Sequence, residues 1–185
     1  MSNDKLNQLS LIDTKKEKIL TLSIVDNSAI AVRLATVEDV SLIYQLIQKK
    51  AEFDRSVGAY SGTIQTSEDK IRKTIFSNHP FAYVLLAEHK SNIIGFALYG
   101  FRYSSFVGQP SVWLDDLYIE EKMRSKGAGT LLMERLKQIA DRNNCTYLAW
   151  TADARNIRGL KFYHRLGAET IERKGARCFF KWTLL

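Results

Sequence analysis

The fold is decided by one stretch, Leu-Asp-Asp-Leu-Tyr-Ile-Glu-Glu-Lys-Met-Arg-Ser-Lys-Gly-Ala-Gly, which runs from Leu114 to Gly129. Its first part belongs to an apolar segment, 112–119, that predicts a central strand, and helical spacing over about 127–142 predicts a helix directly after it. The side of that helix expected to be buried carries Leu131, Leu132, Leu136 and Ile139. A strand that passes through a glycine-containing loop into a helix is typical of α/β proteins.

The loop between this strand and this helix has the composition of an anion site. Gly127 and Gly129 let the backbone approach a ligand closely, and the unpaired N–H groups of the first helical turn favour negative charge. Arg124 and Lys126 add positive charge beside them, which suits a pyrophosphate, although a plain turn would use the same glycines. The loop is neither a Walker motif nor a dinucleotide fingerprint, which would need glycine at Leu132.

The rest of the chain extends this unit into one domain. Further strands are predicted at 19–25, 30–34, 81–88, 93–102, 145–152, 168–172 and 177–184, and further helices at about 36–47, 67–75 and 156–166. Residues 54–65 are expected to form a loop. The order of these elements predicts an α/β fold with a mixed sheet, in a domain of residues 29–185 preceded by a partly ordered N-terminal extension of residues 1–28.

Charge and composition exclude several classes of protein. The 185 residues carry 27 Lys and Arg against 20 Asp and Glu, and the whole excess lies in 120–185, where 14 basic residues face seven acidic ones. Such an excess is either a solvated basic surface or a field that favours an anionic ligand, which could be nucleic acid or a phosphorylated cofactor. No apolar run approaches the ~18 residues of a membrane span, and the polar start does not resemble a signal peptide. Two cysteines, Cys145 and Cys178, are too few for a disulfide framework and favour the cytoplasm.

Two motifs carry a resemblance to a known family. Arg124-Ser-Lys-Gly-Ala-Gly129 resembles the R/Q-x-x-G-x-G/A acetyl-CoA motif of the GNAT superfamily of N-acetyltransferases. Asn156 followed by Lys161-Phe-Tyr-His-Arg-Leu-Gly-Ala168 is similar to a later signature of that superfamily. The resemblance covers about 29–182. Segments similar to the spermidine/spermine (diamine) N-acetyltransferase branch are His79-Pro-Phe81, Leu86-Ala-Glu88, Gly95-Phe-Ala-Leu-Tyr99 and Trp113-Leu-Asp-Asp116.

The resemblance implies a fold and a cosubstrate. The fold would be a single-domain, mixed, mostly antiparallel sheet, splayed in the middle between 112–119 and 145–152 and flanked by helices. Acetyl-CoA would bind in the gap. Its implied binding residues are Leu117, Tyr118, Ile119, Arg124, Ser125, Lys126, Gly127, Ala128, Gly129, Thr130, Asn156, Arg158, Gly159 and Tyr163. No metal is expected, because the three histidines share no ligand spacing with the cysteines.

The resemblance also implies catalytic roles. Tyr163 would be the acid that protonates the leaving thiolate, with a merely packed aromatic ring as the alternative. Asp115 would be the base, acting through water, since it shares a strand face with Leu117 and aligns with the acidic residue of the family. Asp116 would point away and pair with a basic residue, although the choice between the two aspartates stays open. Carboxylates predicted to bind the substrate are Glu52, Asp54, Asp115 and Asp153, with a solvated helix end as the alternative for Glu52 and Asp54.

The predicted function is therefore transfer of an acetyl group from acetyl-CoA to a primary amine of a small molecule, either a diamine, a polyamine or a lysine-like compound. Alternatives are a GNAT enzyme acting on a protein or peptide amine, a basic nucleic-acid-binding module, and a CoA-binding fold without catalysis. Because the charge excess lies in the last third, the amine end is expected to be near neutral, which disfavours a highly cationic substrate. Neither nucleic acid nor a membrane is an expected partner, and related enzymes are often homodimers.

Overall fold

A computed structural model describes residues 30–184; the predicted extension 1–28 and strand 19–25 lie outside this range. The strands are β1 (Ile30–Leu34), β2 (Tyr83–His89), β3 (Asn92–Ser104), β4 (Gln109–Ile119), β5 (Tyr147–Asp153), β6 (Glu169–Lys174) and β7 (Arg177–Thr183). The helices are α1 (Val40–Ser56), α2 (Glu68–Ile75), α3 (Ala128–Arg142) and α4 (Ile157–Arg165), with 3₁₀ turns at Val37–Asp39 and Glu121–Met123. Of the helices within residues 30–184, none has both the length and the apolar character needed to cross a membrane.

The seven strands within residues 30–184 join one sheet, in the order β1-β2-β3-β4-β5-β7-β6. Neighbours are antiparallel except β4 and β5, which are parallel and pair only at Val112 with Leu148 and at Trp113 with Ala149. Beyond that point the two strands separate. The predicted mixed, mostly antiparallel sheet, splayed in the middle and flanked by helices, is confirmed.

The sheet buries both of its faces. Alternate residues of β2 point to opposite sides, so that Leu85 joins the core under α3 while Leu86 joins the core under α1 and α2. The buried face of α3 differs from the prediction at one position, because Leu131 is 43% exposed. Met133 and Ala140 are buried beside Leu132 and Leu136 instead, since the helix is rotated slightly relative to the stripe expected from sequence.

Helix α1 is capped at its start and extends further than predicted at its end. At its start, the carboxylate of Asp39 accepts a hydrogen bond from the backbone N–H of Thr36 at 2.8 Å, and Arg33 binds the same carboxylate. At its end, the helix continues to Ser56, so the prediction that the loop begins at residue 54 is wrong. Asp54 therefore lies within α1, and the packing of this helix on the sheet fixes its position.

Strand β4 contains a bulge within its acidic pair. Leu98 of β3 pairs with Asp116 and the next residue, Tyr99, pairs with Leu114, which leaves Asp115 without a partner on β3. A bulge of this kind bends a strand and changes where its side chains point. The strict alternation assumed for the two aspartates does not hold at this position.

A close approach of β3 to β4 makes Gly95 necessary, because a Cβ there would clash with the carbonyl oxygen of Tyr118 and the side chain of Ile119. We expect Gly95→Ala to lower the free energy of unfolding by about 2 kcal/mol, as overpacked positions do. Urea denaturation followed by circular dichroism measures this loss. Gly100→Ala on the same strand is the matched control, since its Cβ would meet only the carbonyl oxygen of Phe81 at 3.4 Å. Equal stability of the two variants would contradict the close approach.

Candidate active site

The gap between β4 and β5 opens into two adjoining cavities. The first has a volume of about 340 Å³ and the second about 450 Å³, both within the usual range for small-molecule sites. Four residues line both: Phe53, Leu117, Asn156 and Tyr163. A molecule in one cavity can therefore reach a molecule in the other at this shared wall.

The first cavity gathers nearly all of the residues predicted to bind the coenzyme. Every one of them lines it except Lys126 and Ala128. The side chain of Ala128 is buried in the core, and that of Lys126 is exposed beside the sulfur of Met123. Sequence reasoning missed Phe53, Met123, Phe162 and Arg165, which also line it. Of these, Phe162 was detectable, because it belongs to the Phe-Tyr motif, Phe162-Tyr163, of the signature at 161–168.

The loop before α3 has the backbone shape of an anion site. Gly127 precedes the helix with a φ of 91°, a left-handed conformation that favours glycine, and Ser125 also has a positive φ of 62°. The first N–H groups of α3 are thereby directed toward the cavity end of the helix. Arg158 of α4 donates to the hydroxyl of Ser125 at 3.0 Å, which joins the two helix N-termini around the cavity.

Arg124 connects this loop to the sheet. Its Nε donates to the carbonyl oxygen of Ile119 at 2.9 Å, and its guanidinium lies 4.6 Å from the ring centre of Phe53 on α1. The positive charge is thus held over the first cavity by contacts from β4 and α1.

The two cavities differ in charge. Among residues 30–184, those that line the first include three arginines and no carboxylate: Arg124, Arg158 and Arg165. The second is lined by Asp54, Asp115, Asp116 and Asp153 and by two basic residues, Lys50 and Arg177. The near-neutral amine end expected from the charge count is therefore wrong for this cavity, because carboxylates distant in sequence converge there.

Tyr163 stands in the wall between the cavities. Its ring packs against Trp150 and Phe180, with centroids 5.0 Å and 5.2 Å away. Burial raises the pKa of Tyr163, and the negative charges of Asp116 and Asp54 raise it further. The hydroxyl is accordingly protonated at neutral pH.

Asp116 lies in a cluster of three charged groups. Its carboxylate is 3.3 Å from the ammonium of Lys50, which also contacts Asp54 one helical turn away. Burial raises the pKa of Asp116, with the charge of Asp115 in the same sense, and Lys50 only partly opposes it. The pairing of Asp116 with a basic residue agrees with the sequence analysis, but Lys50 itself was missed. Its one signal was the spacing of four residues to Asp54.

The remaining predicted substrate residues differ in their surroundings. Asp115 is exposed at the bulge and lines the second cavity. Asp153 lines it too, and hydrogen bonds from Arg155, two of them at 2.8 Å from the side chain, lower the pKa of Asp153 to about 2. Glu52 is exposed on α1 and lines neither cavity. Within residues 30–184, no three His, Cys, Asp or Glu side chains form a group that could hold a metal ion.

Comparisons with known proteins agree with this geometry. Residues 43–168 match the model of the acetyltransferase (GNAT) family. The chain is 28% identical to thialysine N-epsilon-acetyltransferase of Bos taurus over 159 residues, which cover 81% of this chain and 91% of that protein. It is 29% identical to spermine/spermidine N(1)-acetyltransferase of Bacillus subtilis over 82 residues, 43% of this chain and 54% of that one.

The fold has solved counterparts as well. The structure of PaiA N-acetyltransferase from Thermoplasma acidophilum in complex with coenzyme A superposes with a TM-score of 0.69 at 18% identity, covering 84% of this chain and 99% of that one. The resemblance drawn from the loop at 124–129 and the Phe-Tyr motif is therefore confirmed. The family match over most of the domain, together with the splayed sheet, shows that this chain belongs to the GNAT family of N-acetyltransferases.

Proposed function

We propose that this enzyme transfers the acetyl group of acetyl-CoA to a primary amine of a small cationic molecule, by direct attack while both substrates are bound. The observation that carries the proposal is the meeting of an arginine-lined cavity and a carboxylate-lined cavity at Tyr163. Relatives whose names specify thialysine and spermine or spermidine as substrates support an amine of this kind.

The first cavity suits the coenzyme. Its pyrophosphate would meet the first-turn N–H groups of α3 and the guanidinium of Arg158, both of which favour anions. The pantetheine arm would follow β4 from Leu117 to Ile119, where the strand has no partner on the β5 side. Because N–H and C=O groups alternate in direction along a strand, some of them face the gap and are available to an amide-containing arm.

The second cavity suits the amine. A free aliphatic amine has a pKa near ~10, so it arrives protonated and is attracted to carboxylates. It must lose a proton before its nitrogen attacks the thioester carbonyl carbon. Asp115, exposed at the bulge, would take that proton through water. As the carbon–sulfur bond breaks, Tyr163 would give its proton to the leaving thiolate and recover one from solvent.

A turnover screen tests the proposal. The protein is incubated with acetyl-CoA and diamines, polyamines, lysine analogues, peptides or aminoglycosides, and thiol release is followed. We expect release with small aliphatic amines, since the acidic cavity attracts them. Release with peptides alone would support the protein-directed alternative and contradict the proposal. Absence of acetyl-CoA binding by calorimetry would contradict the assignment of the first cavity.

We expect Arg158→Gln to raise the KM for acetyl-CoA about tenfold with little change in kcat, because a charge held beside Ser125 is lost from the coenzyme cavity alone. The difference from the wild type should shrink at high ionic strength. Lys161→Gln is the matched control: the residue is exposed on the same helix and does not line the cavity. An equal rise of the KM for acetyl-CoA in both variants would indicate only the loss of one positive charge anywhere on this side of the protein.

We expect Tyr163→Phe to lower kcat about a hundredfold while the KM values for both substrates stay close to those of the wild type, because only the proton donor is removed. The ring contacts with Trp150 and Phe180 are kept, so the melting temperature should be nearly unchanged. Steady-state kinetics measure the effect. Full activity of the folded variant would assign Tyr163 to packing and remove its role as the acid.

We expect Asp115→Asn to lower kcat at pH 7 by about tenfold to a hundredfold. The deficit should shrink as the pH approaches the pKa of the amine, because a deprotonated amine needs no base. A pH profile of kcat/KM for the amine measures this. Asp116→Asn is the comparison variant, and it should change mainly the KM of the amine. A deficit that shrinks with pH in Asp116→Asn alone would transfer the role of base to Asp116.

A further inference from the structure

Lys50 places a positive charge inside the acidic cavity. Its side chain is only 19% exposed, and its ammonium lies between two carboxylates of that cavity, in contact with Asp54 and 3.3 Å from Asp116. Burial acts to lower the pKa of Lys50, but the charges of Asp116 and Asp54 and the hydrogen bond to Asp54 outweigh it, so the pKa is raised. The ammonium is therefore a permanent cation of the site.

The ion pairs within the cavity leave one carboxylate for a ligand. Lys50 pairs with Asp54 and Asp116, and Arg155 holds Asp153 at 2.8 Å. Asp115, the fourth carboxylate, makes no ion pair within the described residues 30–184 and is exposed at the bulge. Asp115 is thus the carboxylate left to receive the ammonium of the amine to be acetylated.

The side chain of Lys50 itself resembles an aliphatic amine ligand. It presents a primary ammonium at the end of a four-carbon chain, which is the same group that an aliphatic diamine would bring to the two carboxylates. A second ammonium of a substrate would thus meet a position that the protein already fills. The charge of Lys50 would repel it there and offset the attraction of Asp54 and Asp116.

We propose that Lys50 determines specificity by occupying the subsite for a second positive charge, so that the enzyme favours amines with a single ammonium in this cavity over α,ω-diamines and polyamines. The inference rests on the proposed function, since it assumes that the second cavity binds the amine. It assigns Lys50 no part in proton transfer.

The test compares n-butylamine with 1,4-diaminobutane, which have the same carbon chain and differ by one ammonium. Initial rates with saturating acetyl-CoA give kcat, KM and kcat/KM for each amine. The variants are Lys50→Met, which removes the charge at nearly constant length, and Lys50→Gln, which removes the charge but keeps hydrogen-bond donors for the carboxylates. Lys50→Arg retains the charge and is the matched control.

We expect the kcat/KM ratio of diamine to monoamine to rise about tenfold or more in Lys50→Met and Lys50→Gln, through a lower KM for the diamine. Lys50→Arg should keep the wild-type ratio. An unchanged ratio in a folded, charge-removing variant, or an equal rise in Lys50→Arg, would overturn the inference while leaving the proposed function in place. A merely structural Lys50 would change both amines alike.

The wild type supplies a second measurement that needs no variant to fold. Lys50 predicts a larger kcat/KM for n-butylamine than for 1,4-diaminobutane. A wild-type preference of about tenfold for the diamine would overturn the inference even if both charge-removing variants are unstable. Wild-type protein that binds acetyl-CoA but acetylates no amine at all would instead overturn the proposed function, which is a different result.

Discussion

The separation of β4 from β5 after Trp113 is the constraint on which the rest of the structure depends. Parallel pairing over only two positions lets each strand keep its antiparallel neighbour while the sheet opens between them. The opening exposes backbone that a continuous sheet would bury, and it admits α4 with Tyr163 to the gap. Both cavities exist because these two strands part.

The cavities on either side of that gap are electrostatically distinct. Arginines held by contacts within the fold, such as Arg124 on Ile119 and Arg158 on Ser125, give the first cavity positive charge, and the described part of the chain adds no carboxylate to its lining. Carboxylates from a helix end, a strand bulge and the end of β5 give the second cavity negative charge. Anionic and cationic partners would thus be directed to opposite sides of Tyr163.

Local sequence patterns predicted much of this, because the decisive motifs are local. The loop at 124–129 and the Phe-Tyr motif specify their own turn and helix start, and their positions relative to strands follow from chain order. The salt bridge of Lys50 with Asp116 could not be predicted in the same way, since it joins residues far apart in the chain. The bulge at Asp115 could not be predicted from sequence either, because it depends on the register with β3 rather than on any residue preference.

The charge of the second cavity shows the same limit. A count along the chain treats 1–119 as neutral, but folding brings Asp54, Asp115 and Asp116 of that stretch into the cavity lining with one of its basic residues, Lys50. Leu131 shows the opposite case: it is apolar and was expected to be buried, but the rotation of α3 leaves it exposed. Net charge by segment predicts the sign of a large surface better than that of a cleft a few residues wide.

Two cavities that share one wall can hold both substrates at once, as the proposed mechanism requires. The most direct test is the initial-velocity pattern over a grid of acetyl-CoA concentrations and concentrations of an amine identified by the turnover screen. Double-reciprocal plots should give lines that intersect, because the amine attacks the thioester within a ternary complex. Parallel lines would indicate a covalent acetyl-enzyme and two separate half-reactions, and would contradict this account of the cleft.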